Sequence, residues 1–283
     1  MNAVAPIDKR RWTLDDIDWA RFDASKVTPD LLKVVKTAAM VERNGGDYAK
    51  YLCSVFEGDE SFCSVARSWA IEEEQHGLAL GKWAELADSS FSLDQSFKTF
   101  TSIYQIPTDV SESVRGSRLG ELCARCIVET GTSSFYSAIR DAIDEPVLKQ
   151  ICAKIAADEF AHYKLFYTHL ERYLKPGFAT RWERLKVAIT RFRETSDDEI
   201  ASAYYAGNGA QGPYNREEAN AAYGERTFAF YQHRHVRRAG FMFAQAAGLN
   251  PEGWAAKLLT KVLWLVIWHR GRKFRPALTP SAA

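Results

Sequence analysis

Glu159 and His162 stand three positions apart in Ala156-Ala157-Asp158-Glu159-Phe160-Ala161-His162-Tyr163. On a helix that spacing puts both side chains on one face, about one turn apart. A carboxylate and an imidazole so placed can grip one metal ion. Upstream, Glu72-Glu73-Glu74-Gln75-His76 repeats the pattern. By analogy Glu73 corresponds to Glu159, and Glu72 to Asp158, as an acid that supports the ligands. A further glutamate, Glu42 or Glu129, lies about thirty residues before each motif. One Glu-x-x-His arises easily by chance. Two, each with an earlier glutamate, point to Glu42, Glu73, His76, Glu129, Glu159 and His162 as one shell. Four carboxylates and two imidazoles suit two redox-active divalent ions, with iron, manganese or a mixed pair all open. Without such counter-ions the desolvation of four buried carboxylates would be prohibitive.

The elements that must position these residues are helices. Thr28-Pro29-Asp30 is a start signal, with proline where a first turn tolerates it. The first helix is expected to run to Phe56, with Leu31, Leu32, Val35, Ala38, Ala39 and Glu42 on one face. Glu57-Gly58-Asp59 breaks it, and a second helix spans 59–86. Residues 88–114 form a long connection. A third helix covers 114–143, Asp144-Glu145-Pro146 turns the chain, and a fourth runs to 173, stopped by Lys175-Pro176-Gly177. Glu42 and Glu73 lie about fifteen residues either side of the first turn, and Glu129 and Glu159 about fifteen either side of the second. At about 1.5 Å per residue all four carboxylates sit roughly 22 Å from their turns, at one level. The expected fold is all-α: a four-helix bundle over 28–175 with one long crossover. An arm (1–27) precedes it, and helices at 178–195, 215–247 and 252–270 form a C-terminal extension (176–283).

Composition agrees with a soluble globular chain: 46% hydrophobic, 26% charged, net charge +1. Nothing global points to nucleic acid. Five scattered cysteines argue for reduced thiols and a cytoplasmic setting. Met1-Asn2-Ala3-Val4-Ala5-Pro6 has no apolar signal region. Cys123 and Cys126 share the stripe of Glu129, and buried core thiols are a better reading than a redox pair. His169 reads equally as core or ligand support. His233 and His235 fall in a basic segment read as a solvated face. Residues 206–213 match Gly-x-Gly-x-x-Gly, but no strand precedes them and Pro213 follows, so a loop is expected. Glycines 45, 46, 77 and 131 crowd the ligands, for close helix approach or for room beside the metals.

At these residues the chain resembles the soluble acyl-carrier-protein desaturases of the ferritin-like di-iron superfamily. The carriers of the resemblance are Lys154-Ile155-Ala156-Ala157-Asp158-Glu159 with His162, and Trp69-Ala70-Ile71-Glu72-Glu73-Glu74-Gln75-His76-Gly77. It covers about residues 28–175. It implies two iron ions, dioxygen as co-substrate, a ferredoxin-like electron donor and an acyl carrier protein bearing an apolar chain. Thr132 and Asp158 stand where that family has a threonine near the oxygen pocket and an aspartate before the fourth-helix ligand. Arg43-Asn44-Gly45-Gly46-Asp47-Tyr48, the connection at 88–114 and the tail do not match it. Fold and metal transfer well on this basis; substrate transfers poorly.

An oxygen-dependent di-iron oxidoreductase acting on an apolar substrate is therefore expected, as a monomer or homodimer. No flavin, nicotinamide or iron–sulfur motif is present, so electrons must come from a separate donor or reductase. A di-iron hydroxylase or N-oxygenase, a ferroxidase of the storage type and a non-catalytic scaffold are the competing readings. The tail is a tryptophan-rich helix with a basic end at 252–275. It suits packing on the bundle, docking of an acidic carrier, or peripheral contact with anionic lipid.

Overall fold

The computed structural model describes residues 11–174, 178–193 and 198–275. Among these residues every regular element is helical, and the protein is all-α. The stop at Lys175-Pro176-Gly177 and residues 1–10 of the arm lie outside them. No described helix is long and apolar enough to cross a membrane.

Three short 3-10 turns (Leu14–Asp16, Trp19–Arg21, Ala24–Lys26) carry the arm to α1 (Pro29–Arg43). Thr28 caps α1 by accepting from the Leu31 amide at 3.2 Å, with Pro29 in the first turn. Such a cap contributes about 1 kcal/mol. The expected first helix is in fact two, α1 and α2 (Gly45–Val55). Asn44 sits between them at φ −83°, ψ 4°, off the helical values. The next residue explains the break: a Cβ on Gly45 would lie 2.5 Å from the Glu73 Cβ, so two backbones meet there. α3 (Glu60–Ala87) returns along both, capped by Asp59.

The crossover is not an irregular connection. It holds α4 (Leu93–Ile103), capped by Ser92, with Leu93 and Phe100 buried. α5 (Arg118–Ala142) begins later than expected, because Gly116 takes φ 83° and Ser117 caps the helix on the Gly120 amide. α6 (Pro146–Arg172) completes the second hairpin. Glu145 at that turn is fully buried and fully bonded. One oxygen accepts from the Asp23 and Val147 amides, the other from Trp83 Nε1 at 2.7 Å and the Leu148 amide at 2.7 Å.

Beyond it lie α7 (Phe178–Arg193), α8 (Asp198–Gly207), α9 (Arg216–Ala229), α10 (His233–Ala246) and α11 (Trp254–Gly271). α8 was not foreseen. The expected helix 215–247 splits because Gln232 is extended (φ −112°, ψ 160°) and its amide donates to His235 Nδ1 at 3.0 Å. The Gly-x-Gly-x-x-Gly match ends α8 and then turns as a loop, with Gly209, Ala210 and Gly212 at positive φ.

The apolar interior is in two layers. One gathers Met40, Leu80, Trp83, Tyr136 and Ile155. The other gathers Leu52, Phe62, Trp69, Cys126 and Phe166. In α3, α5 and α6, the ligand motifs fall in sequence between residues of one layer and residues of the other. Glu42 falls likewise between Met40 and Ala49.

Candidate metal centre

All six predicted residues converge in that polar belt. Glu42, Glu73, His76 and Glu159 form one group whose potential ligand atoms lie within 4.8 Å of one another. Glu73, Glu129, Glu159 and His162 form a second under the same limit. The groups overlap through Glu73 and Glu159. Each therefore has two shared carboxylates, one glutamate of its own and one histidine of its own. The carboxylates and imidazoles are nearly all fully buried.

The histidines are held by the acids beside the other motif. His76 Nε2 meets Asp158 Oδ2 at 3.0 Å, and His162 Nε2 meets Glu72 Oε2 at 2.7 Å. An ionised carboxylate can only accept, so each Nε2 carries a proton and each ring turns its Nδ1 inward, toward either a second proton or a cation. There His76 Nδ1 faces Glu42 and Glu159, both at 3.3 Å, and His162 Nδ1 faces Glu73 at 3.1 Å. Lone pairs meeting carboxylate oxygens at these distances call for a cation or protons between them. The orphaned atoms say the same. Glu73 Oε1, Glu129 Oε1, Glu159 Oε1 and His162 Nδ1 are buried without a hydrogen bond. Glu145, equally buried, has partners on both oxygens. Among the described residues, these three carboxylate oxygens and one imidazole nitrogen are orphaned atoms that face one another in a single cluster. These groups can hold metal ions.

The electrostatics follow. Burial pushes the Glu73 carboxyl up to about 8, with Glu159 and Glu42 adding to it. Burial also raises Glu129 well above the carboxylate range, assisted by Glu159 and Glu73. Glu159 goes the other way: burial opposes its charge, but the imidazoles of His162 and His76 beside it hold it low. Burial likewise opposes imidazolium formation, yet the carboxylates of Asp158, Glu159 and Glu42 around it hold His76 well above the usual histidine value. Glu159, Glu72 and Glu73 do so for His162. Protons and a cation compete here for the same lone pairs.

Three contributors escaped the sequence reading. The arm seals the histidine side: Trp12 Nε1 donates to Asp158 Oδ2 at 2.6 Å, its ring lies parallel to His76, and Arg11 pairs with Glu72 at 2.7 Å. Tyr136 donates to Glu42 Oε1 at 2.5 Å. It lies seven residues beyond Glu129, two helical turns along the same stripe, which is the signal that could have found it. Arg125, four residues before Glu129, is buried over the Tyr48 ring, and the Tyr48 hydroxyl donates to Glu199. Thr132 donates to Glu159 Oε2.

On the carboxylate side the cluster opens into a cavity of about 230 Å³. Glu42, Glu73, Glu129, Glu159 and Thr132 form its floor. Ile127, Val128, Phe135, Tyr223, Phe228 and Tyr231 supply apolar wall; Arg125, Glu199 and Asn220 supply polar wall. The glycines divide between the two readings given to them. A Cβ on Gly77 would lie 2.6 Å from the Arg43 amide nitrogen, so it serves close helix approach, as Gly45 does. Gly131 lines the cavity with nothing within 4 Å of its Cβ position, so it gives room.

The remaining candidates lie elsewhere. Cys123 and Cys126 are free, buried thiols; burial pushes Cys123 up to about 12. His169 is core, stacked edge-on to Phe62 and accepting from Arg172 at 2.8 Å. His235 is not on a solvated basic face. It is buried, bonded to the Gln232 amide and to Asp141 of α5 at 2.9 Å. Tyr163, beside His162, ties α6 to α10 by donating to the Met242 carbonyl at 2.8 Å. No family model matches the chain, and no curated protein matches it.

Proposed function

We propose that the chain is an oxygen-dependent di-iron oxidoreductase of the desaturase-like type. The observation that carries this reading is the overlap of two four-residue groups through Glu73 and Glu159, with orphaned oxygens turned into the belt. Glu42, Glu73 and His76, with Glu159, would hold one ion; Glu129 and His162, with the same shared pair, would hold the other. Manganese satisfies the same donors. When bound, the two ions supply dioxygen activation and accept electrons from a separate donor. Asp158 and Glu72 fix the histidine tautomers, which keeps both Nδ1 atoms available. Thr132, hydrogen-bonded to Glu159 and lining the cavity, holds a proton at Oγ1 beside the place where substrate would lie. The sealed histidine side keeps water from that face.

The cavity supports an apolar substrate portion, with a fatty acyl chain on a carrier as the leading class. Its polar wall of Arg125, Glu199 and Asn220 favours, as a second reading, hydroxylation or N-oxygenation of a substrate that also bears a polar group. Anaerobic Fe(II) titration of the purified chain should saturate at about two ions per chain. Saturation near zero or one would refute the proposal.

A further inference from the structure

α11 is apolar on nearly every side, a pattern that normally marks a helix enclosed by protein. Here only one side is enclosed. Ala256, Thr260 and Leu263 are buried, with Thr260 seated against Gly240 of α10. At its end, Gly271 lies against the Phe228 backbone of α9. The outer side carries Trp254, Leu258, Leu265 and Trp268, exposed by 80%, 53%, 62% and 47%. These, with Val262, share one stripe at helical spacing, running about 21 Å along the axis. Along α11 and the turn that follows it the charge is of one sign. Lys257, Lys261, Arg270, Arg272, Lys273 and Arg275 follow Glu252, and no acidic residue occurs from there to Ala283. Of these cations Lys273 pairs with Glu225 of α9 at 3.5 Å.

We propose that α11 lies flat in the interface of an anionic bilayer, its apolar stripe among the acyl chains and its cations at the headgroups. Tryptophan at both ends of the stripe, and lysines beside it whose stems can reach outward, are what such a surface requires. Charge complementarity selects the occupant. A second copy packed by twofold symmetry would set this cationic stripe against itself. The surface also connects to the site: Arg270 lines the hollow on the outer side of α11 with Leu265 and Trp268, and lines the cavity beside the carboxylates. A membrane at α11 therefore lies next to the cavity wall. The docking does not depend on the metal reading, and metal-free and metal-loaded chains should dock alike.

The test is flotation of the full chain with vesicles of phosphatidylglycerol and phosphatidylcholine, against phosphatidylcholine alone. Wild type should float with the anionic vesicles and fall off in high salt. Leu258→Gln with Leu265→Gln, which remove apolar surface and leave the charge unchanged, should lower binding about tenfold or more, with an unchanged circular dichroism spectrum. If that variant misfolds, Lys257→Gln with Lys261→Gln, both solvent-facing, should weaken anionic binding in its place. Absence of wild-type flotation overturns the proposal. So does a folded leucine variant that floats like wild type, since charge alone would then explain binding. A wild-type dimer in light scattering that the leucine variant converts to monomer also overturns it, because a second copy would be the occupant.

Discussion

The crossed bracing of the histidines makes a prediction that separates the two ion positions. Asp158 bonds His76, not its own neighbour His162, and Glu72 bonds His162, not His76. Asp158→Asn keeps the shape but removes the charge that orders the His76 ring. Losing a carboxylate behind a metal-binding imidazole costs 10–100-fold in affinity, or about 1.4–2.7 kcal/mol. The structure places the two acids differently in that range. Asp158 is 27% exposed at its side chain and keeps the Trp12 bond, so about tenfold is expected. Glu72 is 10% exposed and makes the shorter bond, so Glu72→Gln should approach about a hundredfold. Anaerobic Mn(II) or Fe(II) titration against a competing chelator, fitted to two sites, measures this. Asp158→Asn should weaken the site holding His76 and leave the other within about twofold. Glu72→Gln should do the reverse, and the double variant should weaken both. Equal weakening of both sites by either single change would refute the crossed assignment. So would unchanged affinity in a folded variant.

Two predictions concern stability. Gly77→Ala forces a methyl group to within 2.6 Å of the Arg43 backbone and should cost about 1–3 kcal/mol in urea unfolding, whereas Gly131→Ala meets nothing and should be neutral or stabilising by up to about 1 kcal/mol. The Asp88 carboxyl is held down at about 2, chiefly by Lys36 at 2.6 Å, with Ser90 assisting. Its folded value lies below the unfolded one, so this stabilisation is complete above about pH 4 and lost as pH falls toward about 2. With Asp88 partly exposed it amounts to about 1 kcal/mol, and Lys36→Met should remove most of that acid dependence of the urea midpoint.

The Glu/His belt was legible because its constraints are local and repeated. Glu-x-x-His fixes one helical face, and equal distances from two turns fix a common height. Both rest on helical rise alone, and they brought the six candidate ligands together although the first helix is broken just beyond Glu42. The break itself was signalled by Gly45-Gly46, but it takes the backbone of α3 against Gly45 to show that close approach decides it. α4 was missed although Leu93, Phe97 and Phe100 carry helical spacing, because serine and proline around them weighed toward a loop. His235 was misread because its basic neighbours dominate the local text, while its partner Asp141 is 94 residues away. Arg11 and Trp12 share that difficulty. Nothing near them in sequence points to a ligand, and only the packed chain brings them to Glu72 and Asp158.

The belt is sided, and the sides are built by different parts of the chain. The arm closes the histidine side with the Trp12 ring and Arg11, each laid on one of the two acids, from α3 and α6, that bond the histidines. On that side every named contact reinforces a tautomer. The carboxylates instead face space walled by α8, α9 and α11 as well as by α5, through Glu199, Asn220, Phe228 and Arg270. The hairpins alone can assemble the ligands, but they cannot shape what lies over them. Residues 198–275 are therefore part of the site and not an appendage to it. Of the contacts in those walls, the Tyr48–Glu199 bond, with Arg125 over the Tyr48 ring, joins the hairpins to that later segment, and the Phe228–Arg270 contact lies within the segment itself. The Glu/His cluster and the walls over it are thus written in different stretches of this sequence.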